Sequence, residues 1–243
     1  MSHINAFLAG STGLVGSNIL PTLLAHPSIA HTFAFTRRAL PHTSPNLSTL
    51  PADPATVKDT ATWPTLLPSP APTPSLFFSA LGSTRAQAGS VEAQRAIDLD
   101  LNVALARAAK AAGVTTYVLI STGAANSASS FAYLKMKGEL EDAVKALGFE
   151  HTVILRPGLL LGPREDSRPA EWALQKVAGL AGAVSGGVLS DFWAQDARVV
   201  ARAAVKAGVM CVEGGRAEKG VWELGQKEIV RLGKTEWKGE EKK

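Results

Sequence analysis

The chain has 243 residues, of which 46% are hydrophobic and 19% are charged, with a formal net charge of +4. This composition fits one soluble α/β domain, and the scattered basic residues with few aromatics argue against a nucleic-acid-binding surface. The single cysteine, Cys211, excludes an internal disulfide and fits a reducing compartment. We therefore expect the main partner to be a small-molecule substrate and not a nucleic acid.

Targeting and metal-binding signals are weak. No apolar run reaches the ~20 residues of a membrane span, and the first predicted strand begins so close to Met1 that we expect no cleaved leader. The five histidines show no metal-ligand spacing, so we expect no metal site. These features indicate a cytoplasmic protein, or one bound peripherally to a membrane that faces the cytosol. They do not indicate an oligomeric state.

The first element is a short apolar strand that runs into three glycines with the spacing G-x-x-G-x-x-G. Gly10 permits a sharp turn, Gly13 lets a pyrophosphate approach the backbone, and Gly16 lets the following helix pack closely on the sheet. A helical apolar pattern follows. This layout predicts a strand, a turn and a helix whose N-terminus can hold a phosphate. The alternative is an ordinary strand-to-helix turn.

Further along the chain, strands and helices alternate. We predict strands at 32–36, 75–81, 116–121 and 151–155, and helices at 91–112 and 131–147 that end at Gly113 and Gly148. Residues 41–74 hold nine of the 14 prolines and are predicted as loop with one short strand. The alternation predicts a doubly wound parallel sheet of the Rossmann type, with a short C-terminal extension on the substrate side. The domain is expected to span residues 1–233, followed by a charged tail at 234–243.

A second constellation combines Ser121 and Thr122 with Tyr133 and Lys137. The spacing Y-x-x-x-K places the phenol and the ammonium on one helix face, while the two hydroxyls end a predicted buried strand. The lysine charge stabilises the phenolate, the tyrosine transfers the proton, and a hydroxyl orients the substrate oxygen. Alternatively, Tyr133 covers apolar surface and Lys137 is solvated.

Cofactor preference is predicted from the end of the second strand. An acid at this point favours NAD, whereas arginine favours the 2′-phosphate of NADP. The chain has Arg37 and Arg38 here and no acid nearby, so we predict NADP(H). The alternative is that both arginines are ordinary surface charges.

Together these residues resemble the atypical branch of the short-chain dehydrogenase/reductase superfamily. Residues 78–85 (FSALGSTR) are similar to its loop after the fourth strand, and residues 155–162 (LRPGLLLG) to its segment near the nicotinamide. Asp98 and Asn102 lie where the family often has polar residues. The glycine turn and the resemblance together assign these residues to the cofactor: Gly10, Ser11, Thr12, Gly13, Leu14, Val15, Gly16, Arg37, Arg38, Ala80, Leu81, Gly82, Tyr133, Lys137 and Pro157.

The chain departs from the family in its hydroxyl pair. The second position of the usual Ser-Ser is Thr122, and adjacent strand residues point to opposite faces, so only one of Ser121 and Thr122 should face the substrate. The sequence does not indicate which. The segment 167–172 (SRPAEW), together with Y-L-x-x-K-G-E from Tyr133, narrows the resemblance to a human oxidoreductase and a fungal protein of the mitochondrial outer membrane.

The resemblance implies an NADP(H)-dependent oxidoreductase acting on a small carbonyl or alcohol, with Tyr133 handling the proton. The alternative is a non-catalytic NADPH-binding redox sensor or interaction protein; a sugar-nucleotide epimerase is disfavoured by the short region after Pro157. The small, apolar stretch at 179–189, flanked by Trp172, Phe192 and Trp193, is interpreted as a pocket wall or buried helix. Alternatively, it is an exposed patch that contacts a membrane or partner.

Overall fold

A main sheet of parallel strands organises the molecule, for which the computed structural model describes residues 4–51, 53, 60–161 and 194–238. The strands of the protein are β1 (Ile4–Ala9), β2 (Ile29–Phe35), β3 (Leu47–Leu50), β4 (Ser75–Ser79), β5 (Thr116–Ile120), β6 (His151–Leu155), β7 (Leu159–Leu161), β8 (Ala194–Asp196) and β9 (Gly220–Leu224). Seven of them form the main sheet in the order β3-β2-β1-β4-β5-β6-β9, and β7 pairs with β8. The strand order reverses between β1 and β4, where doubly wound sheets bind ligands.

Helices cover both faces of this sheet. They are α1 (Gly16–Ala25), α2 (Arg85–Ala88), α3 (Val91–Arg95), α4 (Asn102–Ala111), α5 (Ala132–Ala146), α6 (Ala197–Val212) and α7 (Gln226–Val230), with a 3-10 helix at Thr60–Leu66 and π-helical turns at Ala96–Leu101 and Arg231–Thr235. The core under α1 and α6 is separate from the core under the 3-10 helix, α4 and α5. The predicted doubly wound, Rossmann-type α/β fold is confirmed.

An aromatic row crosses the sheet face beneath α4 and α5. Phe33, Phe7, Phe77 and Tyr117 occupy the same register on four adjacent strands. Their successive ring centroids are 4.9, 6.3 and 5.2 Å apart. Stacked aromatics bury large apolar areas, so the row stabilises the strands that carry the site.

Several predicted boundaries differ from those of the structure. β6 matches its prediction, and β3 is the short strand expected in the proline-rich segment, but β2 begins at Ile29. Residues 80–81 and 121 have already left their strands and lie in loops at the sheet edge. The predicted helix at 91–112 contains the π-helical turn Ala96–Leu101, because Asn102 bonds the carbonyls of Ile97 and Asp98 with its side chain.

The C-terminal segment packs on α6 beyond the predicted start of the tail. Lys206 Nζ donates to the Glu236 carbonyl oxygen at 2.8 Å, and the Arg202 guanidinium lies 5.7 Å from the ring centroid of Trp237. The expected boundary at 233/234 therefore falls inside the π-helical turn Arg231–Thr235.

Candidate active site

The glycine turn joins β1 to α1 at the reversal point of the sheet. Gly10 has φ +87°, a conformation that favours glycine, and its carbonyl accepts a hydrogen bond from the Gly13 N–H at 2.9 Å. Ser11 Oγ donates to the Phe35 carbonyl at 3.1 Å and so ties the turn to the end of β2. No side chain caps the N-terminus of α1. The Ser17 N–H donates to the Gly13 carbonyl at 2.8 Å and the Asn18 N–H to the Val15 carbonyl at 3.0 Å, so the helix begins directly on the turn.

Two glycines of the turn are sterically required. A Cβ on Gly10 would lie 2.5 Å from the Ala80 carbonyl oxygen, and one on Gly16 would overlap the Gly10 carbonyl oxygen. The role of Gly16 in helix–sheet packing stays a prediction, and the structure adds a second requirement, because α1 begins directly against the Gly10 backbone. Leu14 and Val15 pack their side chains into the core, so only their backbone can contact a ligand.

The loop after β4 lies directly against this turn. Ala80 N–H donates to the Ala9 carbonyl at 2.9 Å, and Ala80 contacts Gly10 through its own carbonyl. Leu81 and Gly82 continue the loop toward the surface, and Gly82 is exposed. The structure thus brings together two of the segments that the sequence assigned to the cofactor.

The two arginines after β2 have different surroundings. Both are exposed, but only Arg38 lines a cleft of about 160 Å³ beside the glycine turn. The described residues that line this cleft are Ser11, Thr12, Ser17, Arg38, Ala39, Pro41 and His42. The buried Thr36 hydroxyl fixes the Arg38 backbone by donating to its carbonyl at 2.6 Å and accepting from its N–H at 3.1 Å. Arg37 is not among the lining residues.

Tyr133 and Lys137 lie one turn apart on α5, which packs at the end of β5. Tyr133 is 42% exposed, whereas Lys137 is only 4% exposed and its Nζ donates to the Ile120 carbonyl at 3.4 Å. Gly138 permits this packing, because a Cβ there would overlap the backbone of Asn126 and Ser127 in the loop after β5. The lysine is therefore anchored directly before the two candidate hydroxyls.

The two candidate hydroxyls differ in their partners. Ser121 Oγ donates its proton to Glu141 Oε1 at 2.5 Å. Thr122 is half-buried, and within the described part of the chain its hydroxyl makes no hydrogen bond. Since a hydroxyl has a single proton, Ser121 cannot donate to a substrate oxygen while it is bonded to Glu141.

Glu141 belongs to an ionic network that the sequence analysis missed. Arg156 binds both oxygens of Glu141, at 3.1 and 2.5 Å, and its other nitrogen reaches Glu223 at 2.6 Å. The hydrogen bonding that Arg156 donates to Glu141 is the main reason that the pKa of Arg156 is raised. A signal was present, since Glu141 follows Lys137 by four residues and extends the Tyr133–Lys137 stripe of α5.

Asp98 is a second buried acid at this edge of the sheet. It is fully buried, and its Oδ1 accepts from the Ser83 N–H at 2.6 Å and from the Ser83 hydroxyl at 2.8 Å. Asn102, one turn later, accepts from Ser79 Oγ at the end of β4. Both side chains therefore hold the loop after β4 in place. The sequence had indicated only that polar residues occur at these positions.

The segment after β6 completes the described site. The Pro157 carbonyl accepts from the Gly123 N–H at 2.8 Å, which places this segment beside the loop after β5. The motif at 167–172, the stretch at 179–189 and the flanking Trp172, Phe192 and Trp193 lie outside the described residues. Along the described stretches, no helix combines the length and apolar character needed to cross a bilayer.

Comparisons with known proteins agree with this geometry. A family model described as HIM1 matches residues 73–181. "Protein fmp52, mitochondrial" of Aspergillus fumigatus is 52% identical over 238 residues, covering 94% of this chain and 98% of that protein. The chain belongs to the fmp52 family. The fmp-52 protein of Neurospora crassa, also named mitochondrial, is 48% identical over 235 residues and covers 95% of this chain and 96% of its own.

Solved structures similar to this fmp52-family chain are nucleotide-binding enzymes. MoeE5, in complex with UDP-glucose and NAD, has a TM-score of 0.63 at 16% identity and covers 94% of this chain and 80% of its own. A short chain dehydrogenase family protein of Francisella tularensis has a TM-score of 0.62 at 13% identity, covering 94% of this chain and 100% of its own. The Rossmann-type fold that the resemblance to the short-chain dehydrogenase/reductase superfamily implies is confirmed, as is the resemblance to a fungal mitochondrial protein. At these identities the solved structures show the shared fold alone.

Proposed function

We propose that this fmp52-family protein is an NADP(H)-dependent oxidoreductase that acts on a small carbonyl compound or alcohol. The observation that carries the proposal is the placement of Tyr133 and Lys137 on one face of α5, with Lys137 bonded to the last residue of β5. A phenol and an ammonium at the ligand-binding edge of the sheet are the groups that proton transfer to a carbonyl requires.

The residues present fit a dinucleotide phosphate. The glycine turn packs so closely on the loop from Ala80 that a Cβ on Gly10 would overlap it, and the adjoining N-terminus of α1 has no side-chain cap. Arg38 lines the adjoining cleft with Ser11 and Thr12, and a planar guanidinium suits a 2′-phosphate. MoeE5, which shares the fold, is named as an NAD complex. The phosphorylated form is proposed for this chain because Arg38 follows β2 without a nearby acid.

Each side chain of the site has a role in this proposal. The bound nicotinamide supplies or accepts the hydride. Tyr133 donates the proton to the carbonyl oxygen in reduction and accepts it in oxidation. Lys137 stabilises the tyrosinate by its charge. Thr122 donates a hydrogen bond to the substrate oxygen, because the Ser121 proton is already bonded to Glu141.

A carbonyl screen tests this assignment. Small aldehydes and ketones are incubated with the wild-type protein, and consumption of NADPH is followed by its absorbance. Tyr133→Phe should lower turnover of the best substrate by about 10²- to 10⁴-fold while leaving NADPH affinity unchanged. Lys135→Ala changes an exposed lysine of the same helix and should leave turnover intact.

Two results would contradict the catalytic proposal. The first is a Tyr133→Phe protein that turns over at the wild-type rate. The second is tight NADPH binding by the wild-type protein without consumption of any carbonyl, which would favour the non-catalytic redox sensor or interaction protein.

We further propose that the protein attaches peripherally to the mitochondrial outer membrane. Support comes from the relatives, which are named mitochondrial at 44–52% identity. Fractionation tests this location: an alkaline carbonate wash should release the protein from purified mitochondria. Recovery only after detergent extraction would show an integral attachment, and absence from mitochondria would favour the cytoplasm.

A further inference from the structure

Lys137 is in an unusual position for a charged side chain. Only 4% of it is exposed, and within the described residues its one hydrogen bond is the long contact of 3.4 Å with the Ile120 carbonyl. An ammonium group has three donors, and its transfer out of water is unfavourable unless other groups compensate the charge. The structure must therefore supply compensation from elsewhere.

Two buried carboxylates approach this region from different elements. Asp98 comes from the π-helical turn Ala96–Leu101, against which α5 packs, and Glu141 comes from α5 itself, one turn after Lys137. Both acids are nearly inaccessible to solvent, with Asp98 fully buried and Glu141 2% exposed. π-Helical turns are rare and often occur at functional sites, and this one carries Asp98.

Each acid is fixed by partners other than the lysine. Two hydrogen bonds from Ser83 hold Asp98 Oδ1, and Arg156 binds Glu141 through two nitrogens. Neither carboxylate is free to turn away when the lysine changes its charge. The acids are therefore preorganised, as a fixed electrostatic environment for a reaction requires.

We propose that Asp98 and Glu141 are positioning residues that together hold Lys137 as a buried ammonium ion between the loop after β4 and the end of β5. The inference rests on the proposed catalytic role of Lys137. Asp98 joins the lysine charge to the loop that carries Ser83, and Glu141 joins it to Ser121. In this proposal the positive charge at the proton-transfer site is linked both to the loop after β4 and to the end of β5.

The electrostatics of the site agree with this geometry. Burial lowers the pKa of Lys137, and the charges of Asp98 and then Glu141 oppose that change. The other ionisable groups beside them are Tyr133, one turn before the lysine, and two cations that pair with Glu141: Arg156 at 2.5 Å and Lys145, one turn later on α5, at 3.7 Å. Among the described residues no ion pair joins Lys137 directly to either carboxylate, so both acids act on the ammonium across the low-dielectric interior, where opposite charges favour the ionised form of a lysine.

Titration of Lys137 itself tests the proposal. The protein is labelled with ¹³Cε-lysine, the Lys137 resonance is assigned by its loss in Lys137→Arg, and its chemical shift is followed against pH. Asp98→Asn and Glu141→Gln keep the size of each side chain but remove its charge. Each should lower the midpoint of the Lys137 titration by roughly one pH unit or more. Glu139→Gln, a change to a more exposed acid of α5 paired with Arg95, should leave it unchanged.

The outcomes separate this inference from the proposed function. Unchanged Lys137 titration in both variants would overturn it, even if Tyr133→Phe abolishes turnover. A lowered midpoint would support it, even if no carbonyl substrate is found. If Asp98→Asn fails to fold, the Lys137 titration in Glu141→Gln alone tests the inference. A purely structural role for Glu141 would change the free energy of unfolding without changing the midpoint of that titration.

Discussion

The two halves of the site are constructed by different physical means. The half formed by β1, α1 and β2 uses backbone geometry, with glycines in close contact and an exposed Arg38 at its rim. The half formed by β5, α5 and β6 uses charged side chains, with Glu141 bonded to Ser121 and Arg156, and with Lys137 buried one turn before Glu141 on α5. Substitutions of the turn glycines in the first half should therefore act through steric overlap, and substitution of Arg38 through the loss of a ligand contact. Substitutions in the second half should act through changes in buried charge.

Gly16→Ala should have the largest effect and tests the steric half. Helix propensity alone predicts that alanine at the first residue of α1 stabilises the protein by up to ~1 kcal/mol. Overlap of the new methyl group with the Gly10 carbonyl predicts the opposite, because backbone must shift to relieve it. We expect unfolding free energy to fall by about 3 kcal/mol, measured by chemical denaturation.

The matched control for this change is Gly82→Ala. No heavy atom lies within 4 Å of a Cβ built there, so the added methyl group should alter stability little. A Gly16→Ala protein as stable as the wild type would show that the close contact in the glycine turn is readily relieved. The steric account of this half would then be wrong.

Arg38→Ala should have the next largest effect and concerns the rim of the same half. Loss of charge-assisted bonds to a 2′-phosphate should weaken NADPH binding by roughly tenfold to a hundredfold. NADH affinity should not change, since NADH lacks that phosphate. Isothermal titration calorimetry with both cofactors measures the difference.

Arg37→Ala is the natural comparison, because the sequence assigned both arginines to the cofactor. Only Arg38 lines the cleft beside Ser11 and Thr12, so Arg37→Ala should change NADPH affinity little. If Arg37→Ala and Arg38→Ala lost equal NADPH affinity, both arginines would again be assigned to the 2′-phosphate. Equal wild-type affinity for NADPH and NADH, unaltered in either variant, would exclude NADP preference.

Local patterns and non-local contacts explain what the sequence could and could not predict. The glycine turn and the Tyr133–Lys137 spacing are local, because they depend on residues within one or two turns of chain. Lys145 is a local partner of Glu141, but its two hydrogen-bond partners are not local: Ser121 lies 20 residues away and Arg156 lies 15 away. They meet only because β5 and β6 are adjacent in the sheet. The sequence therefore indicated the candidate reacting groups, whose roles stay predictions, and missed the residues that contact them.

The smallest expected effect concerns how much the buried charge of Lys137 lowers the stability of the folded protein. Lys137→Met removes the ammonium but retains a long apolar side chain, while Asp98 and Glu141 keep their bonds to Ser83 and Arg156. Because burial lowers the pKa of Lys137 in spite of the charges of Asp98 and Glu141, the folded protein is less stable with the lysine charged than it would be with the lysine neutral. We expect the variant to be about 1 kcal/mol more stable than the wild type at neutral pH, and inactive.

The pH dependence of this difference identifies its cause. The folded state lowers the pKa of Lys137 below its ordinary value of 10.5, so the unfolded chain takes up the proton more readily. The charged Lys137 therefore destabilises the folded wild-type protein fully below its folded-state pKa. This destabilisation decreases as the pH rises and is absent above 10.5. The advantage of Lys137→Met, measured by denaturation at several pH values, should shrink in that direction. An advantage that stays constant with pH would assign it to packing and not to charge.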